Sequence, residues 1–156
     1  MGVKLIRIDE RLVHGQVITS WSKLYGINKI VVVDDDIAGD PFMSQVITLS
    51  AQAGMEILIL EVIKAIDYLQ DTSTTGNIML LAKSPKAILQ MIKGGYVFQD
   101  VNLGNLSSSP KRKRMSKNVS LSEEEIEIVK AIVASGANVY LQMLPGDPQI
   151  NISSVL

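Results

Sequence analysis

The chain contains no cysteine and a single histidine, His14. Disulfides, thiolate nucleophiles and cysteine-bound zinc or iron–sulfur centres are therefore excluded, and any histidine chemistry has one address. Aromatic residues make up only 4% of the sequence while aliphatic ones are abundant, which predicts a core of Ile, Val and Leu of the kind found in sheets covered on both faces. Charge of neither sign dominates. Fifteen basic and sixteen acidic residues leave a formal −1, so nothing draws the whole chain to nucleic acid or to anionic lipid. No apolar run approaches the roughly 20 residues that span a bilayer, and the first residues lack the apolar core and cleavage site of a signal peptide. The expectation is a soluble intracellular chain without membrane insertion. At 156 residues and 47% hydrophobic content, a single domain covering residues 1–156 is expected.

Within those bounds, apolar runs of strand length alternate with segments of helical period almost from end to end. This predicts repeated βαβ units, hence an α/β doubly wound domain with a mostly parallel sheet and helices on both faces. Strands are expected at Val3–Ile8, Ile30–Val33, Met55–Leu60, Ile78–Ala82, Val101–Asn105 and Val139–Met143. Helices are expected at Gly15–Tyr25, from Asp40-Pro41 to Ala53, at Val62–Leu69, from Ser84-Pro85 to Lys93, and after Ser122, where Ser122-Glu123-Glu124-Glu125 reads as a capping box. Ser84 is placed as an N-cap. The basic stretch Ser107–Lys117 reads as an exposed loop or surface hairpin with a short strand at Val119–Leu121, and Pro145-Gly146-Asp147-Pro148 as a turn before a tail.

His14 falls where the first strand gives way to the first helix, in Arg7-Ile8-Asp9-Glu10-Arg11-Leu12-Val13-His14-Gly15-Gln16-Val17. Such a turn offers free backbone N–H groups and the positive end of a helix dipole, a setting for phosphate. Imidazole supplies an unprotonated nitrogen near neutral pH without an added base, so an imidazole beside an anion cradle suggests a phosphohistidine. Arg11 is assigned charge stabilisation, because a planar guanidinium matches phosphoryl oxygens. Asp9 is assigned orientation, since a carboxylate facing phosphate would repel it. Gly15 permits close backbone approach or an unusual backbone angle. Asp35 and then Ser84, both after other strands, are placed near the same sheet edge as supporting residues.

A lone histidine is more often a packed or surface residue than a catalytic one. Asp34-Asp35-Asp36 could form a magnesium pocket, but the third strand ends Leu58-Ile59-Leu60-Glu61 without an aspartate to accept phosphate, which favours a solvated turn with one fold-supporting aspartate. Lys111-Arg112-Lys113-Arg114 lacks the interleaved aromatics of a nucleic-acid surface and reads as a solvated loop, with docking of an acidic partner as the functional alternative. Trp21 and the methionines sit at core-like spacing.

Taken together, the eleven residues around His14, the following Trp21, Val31–Asp40, Gly94-Gly95, Val101–Asn105 and Leu144–Asp147 resemble, in order, the IIB component of the mannose/fructose/sorbose family of the sugar phosphotransferase system. The resemblance spans nearly the whole chain. It implies a phosphotransferase that accepts a phosphoryl group on His14, at Nδ1, from a phosphohistidine on the IIA component. It then passes the group to a sugar in the IIC/IID membrane complex, with no metal or organic cofactor and no nucleic acid partner, from a cytoplasmic position at the permease. Gln142 resembles N-acetylgalactosamine-associated members more than mannose-type ones, which tend to carry arginine there. The loop Ser107–Arg114 departs from the glycine- and lysine-containing loop of the family, so no functional residue is carried over from it. Two other classes stay open: a regulatory module of the same fold that senses partner phosphorylation without turnover, and a small nucleotide- or RNA-binding protein, disfavoured because no glycine-rich loop follows the first strand.

Overall fold

The computed structural model describes residues 2–156 and contains a mostly parallel seven-stranded sheet flanked by six α-helices. In chain order the elements are β1 (Gly2–Asp9), α1 (Gly15–Tyr25), β2 (Lys29–Val33), α2 (Asp35–Ala38), α3 (Pro41–Leu49), β3 (Glu56–Leu60), α4 (Val62–Gln70), β4 (Asn77–Ala82), α5 (Pro85–Lys93) and β5 (Asp100–Asn105). A hairpin of β6 (Arg112–Arg114) and β7 (Ser120–Ser122) follows, then α6 (Glu123–Ala134), β8 (Asn138–Leu141), β9 (Ile150–Asn151) and a 3₁₀ turn at Ile152–Ser154. The strand order is β3-β2-β4-β1-β5-β8-β9, all parallel except β9, which runs antiparallel to β8.

The inner strands are apolar throughout because both of their faces are covered. Val31, Val33, Ile78, Leu80 and Ala82 meet α4 and α5 on one face, whereas Ile30, Val32, Met79 and Leu81 meet α1 and α3 on the other. The two faces follow from the direction of travel: chain moving from β1 to β2 to β3 crosses on one side, chain returning through β4, β5 and β8 on the opposite side. So α1 leaves β1 toward one face, while α5 and the β6–β7 hairpin leave the flanking β4 and β5 toward the other. The loop after β1, in the middle of the sheet, lies where these paths diverge, the place at which doubly wound folds bind ligands.

Several expected boundaries shift. Asp34-Asp35-Asp36 is not a simple turn: Asp34 caps the four-residue α2 by accepting the Ile37 N–H at 2.9 Å. The helix expected to reach Ala53 stops at Leu49, where Ser50 closes it with its own hydroxyl on the Ile47 carbonyl. The basic stretch takes the hairpin form, with its return strand at Ser120–Ser122. Residues after Pro148 are not a free tail, since β9 extends the sheet and Ile152 is fully buried.

Candidate active site

Between β1 and α1 the backbone makes a tight, partly strained turn. The Leu12 N–H donates to the Asp9 carbonyl at 2.9 Å, and Leu12 holds a positive φ of 55° with its side chain buried. Left-handed backbone at a bulky residue costs free energy and persists only where its surroundings enforce it. Here the buried leucine side chain anchors the turn. Gly15 follows at φ 25°, with open space where a Cβ would sit, so glycine answers a backbone requirement and not a steric one. His14 occupies the N-cap position of α1 in extended conformation. Its carbonyl accepts the Ile18 N–H at 3.2 Å; its imidazole is exposed and makes no hydrogen bond among the described residues.

Asp9 organises the near side of this turn. Its Oδ1 accepts the Arg11 backbone N–H at 3.0 Å and lies 3.5 Å from Arg11 Nε; its Oδ2 pairs with an Arg7 guanidinium nitrogen at 3.1 Å. Arg11, a third exposed, also reaches the Met143 sulfur at 3.8 Å from the far end of its guanidinium. The carboxylate is thus turned inward onto two arginines, and the outer one stands in the same loop as His14.

Arg7, by contrast, is invisible as a functional residue in the sequence, where it sits in an apolar strand. It is 0% exposed. Its guanidinium donates to the Asn102 side-chain carbonyl and, at 3.1 Å, to the Gln142 backbone carbonyl, and it lies 5.5 Å from the centre of the Trp21 ring. Burial pushes this arginine below its ordinary pKa, with Asp9 opposing the shift. Gly104 is the space into which the guanidinium fits: a Cβ there would collide with three of its atoms. Trp21 closes the arrangement by donating from Nε1 to the Met143 carbonyl at 3.0 Å. The ends of β1, β5 and β8 and the middle of α1 are thereby locked together.

The family model described as PTS system sorbose subfamily IIB component matches residues 3–156. The chain belongs to this family. This IIB chain is 32% identical over 152 residues to the N-acetylgalactosamine-specific phosphotransferase enzyme IIB component 1 of Escherichia coli K12, covering 97% of the chain and 96% of that protein. It is 29% identical to the PTS system mannose-specific EIIAB component of Escherichia coli K12 over its whole length, which corresponds to 49% of that longer protein. The crystal structure of the IIBSor domain of the sorbose permease from Klebsiella pneumoniae superposes with a TM-score of 0.91 at 28% identity, over 99% of this chain and 95% of that one.

In the IIB chain the candidate residues do not all converge. Asp9, Arg11, His14 and Gly15 share one loop. Asp35 does not face it as expected; its Oδ1 accepts the Val62 N–H at 2.8 Å and ties α2 to the start of α4. Ser84 precedes α5 in the N-cap position but its hydroxyl makes no capping bond. It lines instead an open cleft of about 340 Å³ with Glu10, Asp34, Asp36, Lys83 and Arg112. Gln142 ties the following turn, donating to the Pro145 and Asp147 carbonyls at 3.1 and 2.9 Å.

Arg112, expected as part of a solvated basic loop, is a clasp. Its guanidinium forks onto Glu125 at 2.9 and 3.0 Å, meets Glu10 at 3.1 Å and caps the Ser107 carbonyl at 2.8 Å. Partial burial acts to raise the Glu10 carboxyl, but bonds from Ser107 and then Arg112 outweigh it and hold Glu10 below the ordinary glutamate value. The hairpin is thereby fastened to the His14 loop. No helix among the described residues is long and apolar enough to cross a membrane.

Proposed function

We propose that this IIB chain is a phosphohistidine carrier that takes a phosphoryl group from the phosphorylated histidine of a IIA component onto His14 and delivers it to a sugar held by a IIC/IID membrane complex. The observation that carries the reading is an exposed imidazole, without a hydrogen-bond partner among the described residues, on the loop beyond the central strand β1 and beside an arginine already oriented by Asp9. A IIA partner is supported by the mannose-specific EIIAB relative, whose name joins the two components and of which this chain matches about half.

In the first step a His14 ring nitrogen attacks the phosphorus of the donor phosphohistidine. One N–P bond forms as the other breaks, and the donor imidazole leaves with its electron pair. In the second, a sugar hydroxyl oxygen displaces the His14 nitrogen from phosphorus, and the hydroxyl proton passes to the departing imidazole. Both transition states are loose and spread negative charge over three equatorial oxygens. Arg11 and the free N–H groups at the start of α1 supply positive potential there, with Gly15 allowing backbone approach. Asp9 acts indirectly, by holding Arg11 and balancing Arg7. Asp35 and Ser84 have no assigned contact with phosphate in this scheme: the first supports α4, and the second borders the neighbouring cleft. The sugar is selected by the membrane components, and the chain works at their cytoplasmic face without inserting into the bilayer.

The test is onward transfer. Protein labelled with ³²P from a phosphorylated IIA is mixed with membranes containing the cognate IIC/IID complex and candidate sugars. Label should move to sugar phosphate in the presence of the right sugar and stay on the protein without it. Retention of label whatever the sugar and membranes, with a second IIB active in the same preparation, would instead indicate a regulatory module.

A further inference from the structure

At the end of the sheet opposite His14, the middle strands part. β1 pairs with β4 from Gly2 onward but with β5 only from Arg7, opposite Asn102, and its register slips between Val3 and Leu5. The wedge left between the first half of β1 and the approach to β5 is a half-open cleft of about 560 Å³. That lies in the range of small-molecule sites, about 300–1,000 Å³.

Three tyrosines line it: Tyr25 from the end of α1, Tyr96 ahead of β5, and Tyr140 from β8. Tyr140 is only 8% exposed as a residue, and its hydroxyl, which makes no hydrogen bond among the described residues, is the part left open to the cleft. The hydroxyls of Tyr25 and Tyr96 are likewise unpartnered among the described residues. Burial, reinforced by Tyr25 and Asp100, pushes the Tyr140 phenol up to about 12, so it stays a proton donor throughout the physiological range.

The rest of the lining bears on the class of ligand. Lys4 and Asp100 carry opposite charges, and Asp100 Oδ1 already accepts from Asn138 Nδ2 at 3.1 Å. The other polar groups, the three phenols and the carboxamides of Gln99, Asn138 and Gln149, are neutral. With these two charges opposed, the cleft has no net charge to favour an anion over a cation. Phenols and carboxamides both donate and accept, matching hydroxyl groups, and aromatic faces suit the C–H faces of a ring. We propose that this cleft is a second binding site, independent of the phosphoryl-transfer loop, that takes a neutral polyhydroxylated molecule of monosaccharide or disaccharide size.

The protein carries its own reporter. Tyr25 stacks on Trp21 with ring centres 6.0 Å apart and planes 2° from parallel, and Trp21 is the only tryptophan in the chain. Unphosphorylated full-length protein is titrated with neutral hexoses and disaccharides, and separately with glucuronate, glucosamine and glucose 6-phosphate. Trp21 fluorescence and calorimetric heat are followed in parallel. At least one neutral sugar should give a saturable change in both, with its charged analogues binding no more tightly. Tyr140→Phe, with a melting temperature near wild type, should weaken that sugar about tenfold, as expected for one lost hydrogen bond, and Tyr96→Phe should also weaken it. Absence of saturation by every neutral sugar at tens of millimolar would overturn the proposal. Tighter binding of a charged analogue would overturn the ligand class, and affinity untouched by both substitutions would overturn the location.

Discussion

Arg7 and Asp9 form a buried ion pair directly beneath the loop that carries His14. With exposures of 0% and 1%, neither ion has water to fall back on, so each depends on the other, Arg7 also on Asn102 and Gln142, and Asp9 also on Arg11. Removing one partner of such a pair costs about 3–5 kcal/mol, because the other charge is left buried. Arg7→Met should lower stability by that order in urea unfolding. Arg11→Ala belongs to a different class. Its guanidinium is partly exposed, so unfolding should shift by no more than about 0.5 kcal/mol, whereas phosphoryl acceptance from IIA should slow about a hundredfold if Arg11 stabilises the transferred charge. A wild-type transfer rate in a folded Arg11→Ala protein would remove that role. His14 is legible because the only imidazole of the chain stands in a segment of distinctive chemistry at a strand-to-helix junction. Arg7 is not legible, since apart from Asp9 its hydrogen-bond partners lie 95 and 135 positions away and the strand around it reads as apolar.

Among the elements, those whose instructions are local were readable. Helix α6 has the whole capping box in four consecutive residues, and Ser122 Oγ accepts the Glu125 N–H at 3.1 Å while Glu125 Oε1 accepts the Ser122 N–H at 2.9 Å. Ser122→Ala should cost about 1 kcal/mol in thermal or urea unfolding. Elements held by remote partners were not readable. The two residues of β9 are a strand only because β8 lies beside them, and the end of α3 is fixed by packing and a serine and not by a glycine or proline stop. The same holds for the Arg112 clasp, which joins β6, α6 and the β1–α1 loop. Its pH dependence carries a definite sign. The folded-state pKa of Glu10 lies below the ordinary value of 4.5, so its stabilisation is complete above that value and is lost as the pH falls through the lower folded one. Wild type should exceed Glu10→Gln by up to about 1 kcal/mol near neutrality, with the gap closing in acid. A gap that persists at low pH would show the clasp to be packing and not charge.

For the molecule as a whole, the alternation of strands and helices specified a doubly wound sheet, and the direction of its crossovers puts one loop at a point where chains diverge to opposite faces. That division separates labour. The aliphatic core and the Arg7 network hold the sheet, so the exposed His14 is free of structural duty, and His14→Ala should unfold within about 0.5 kcal/mol of wild type. The central claim is that His14 carries the phosphoryl group. It is tested most directly by intact-protein mass after incubation with phosphoenolpyruvate, the general phosphotransferase proteins and a competent IIA. Wild type should gain the mass of one phosphoryl group, labile to acid as a phosphohistidine is, and folded His14→Ala should gain none. An unmodified wild type, or a His14→Ala protein that still takes up the group, would contradict the account.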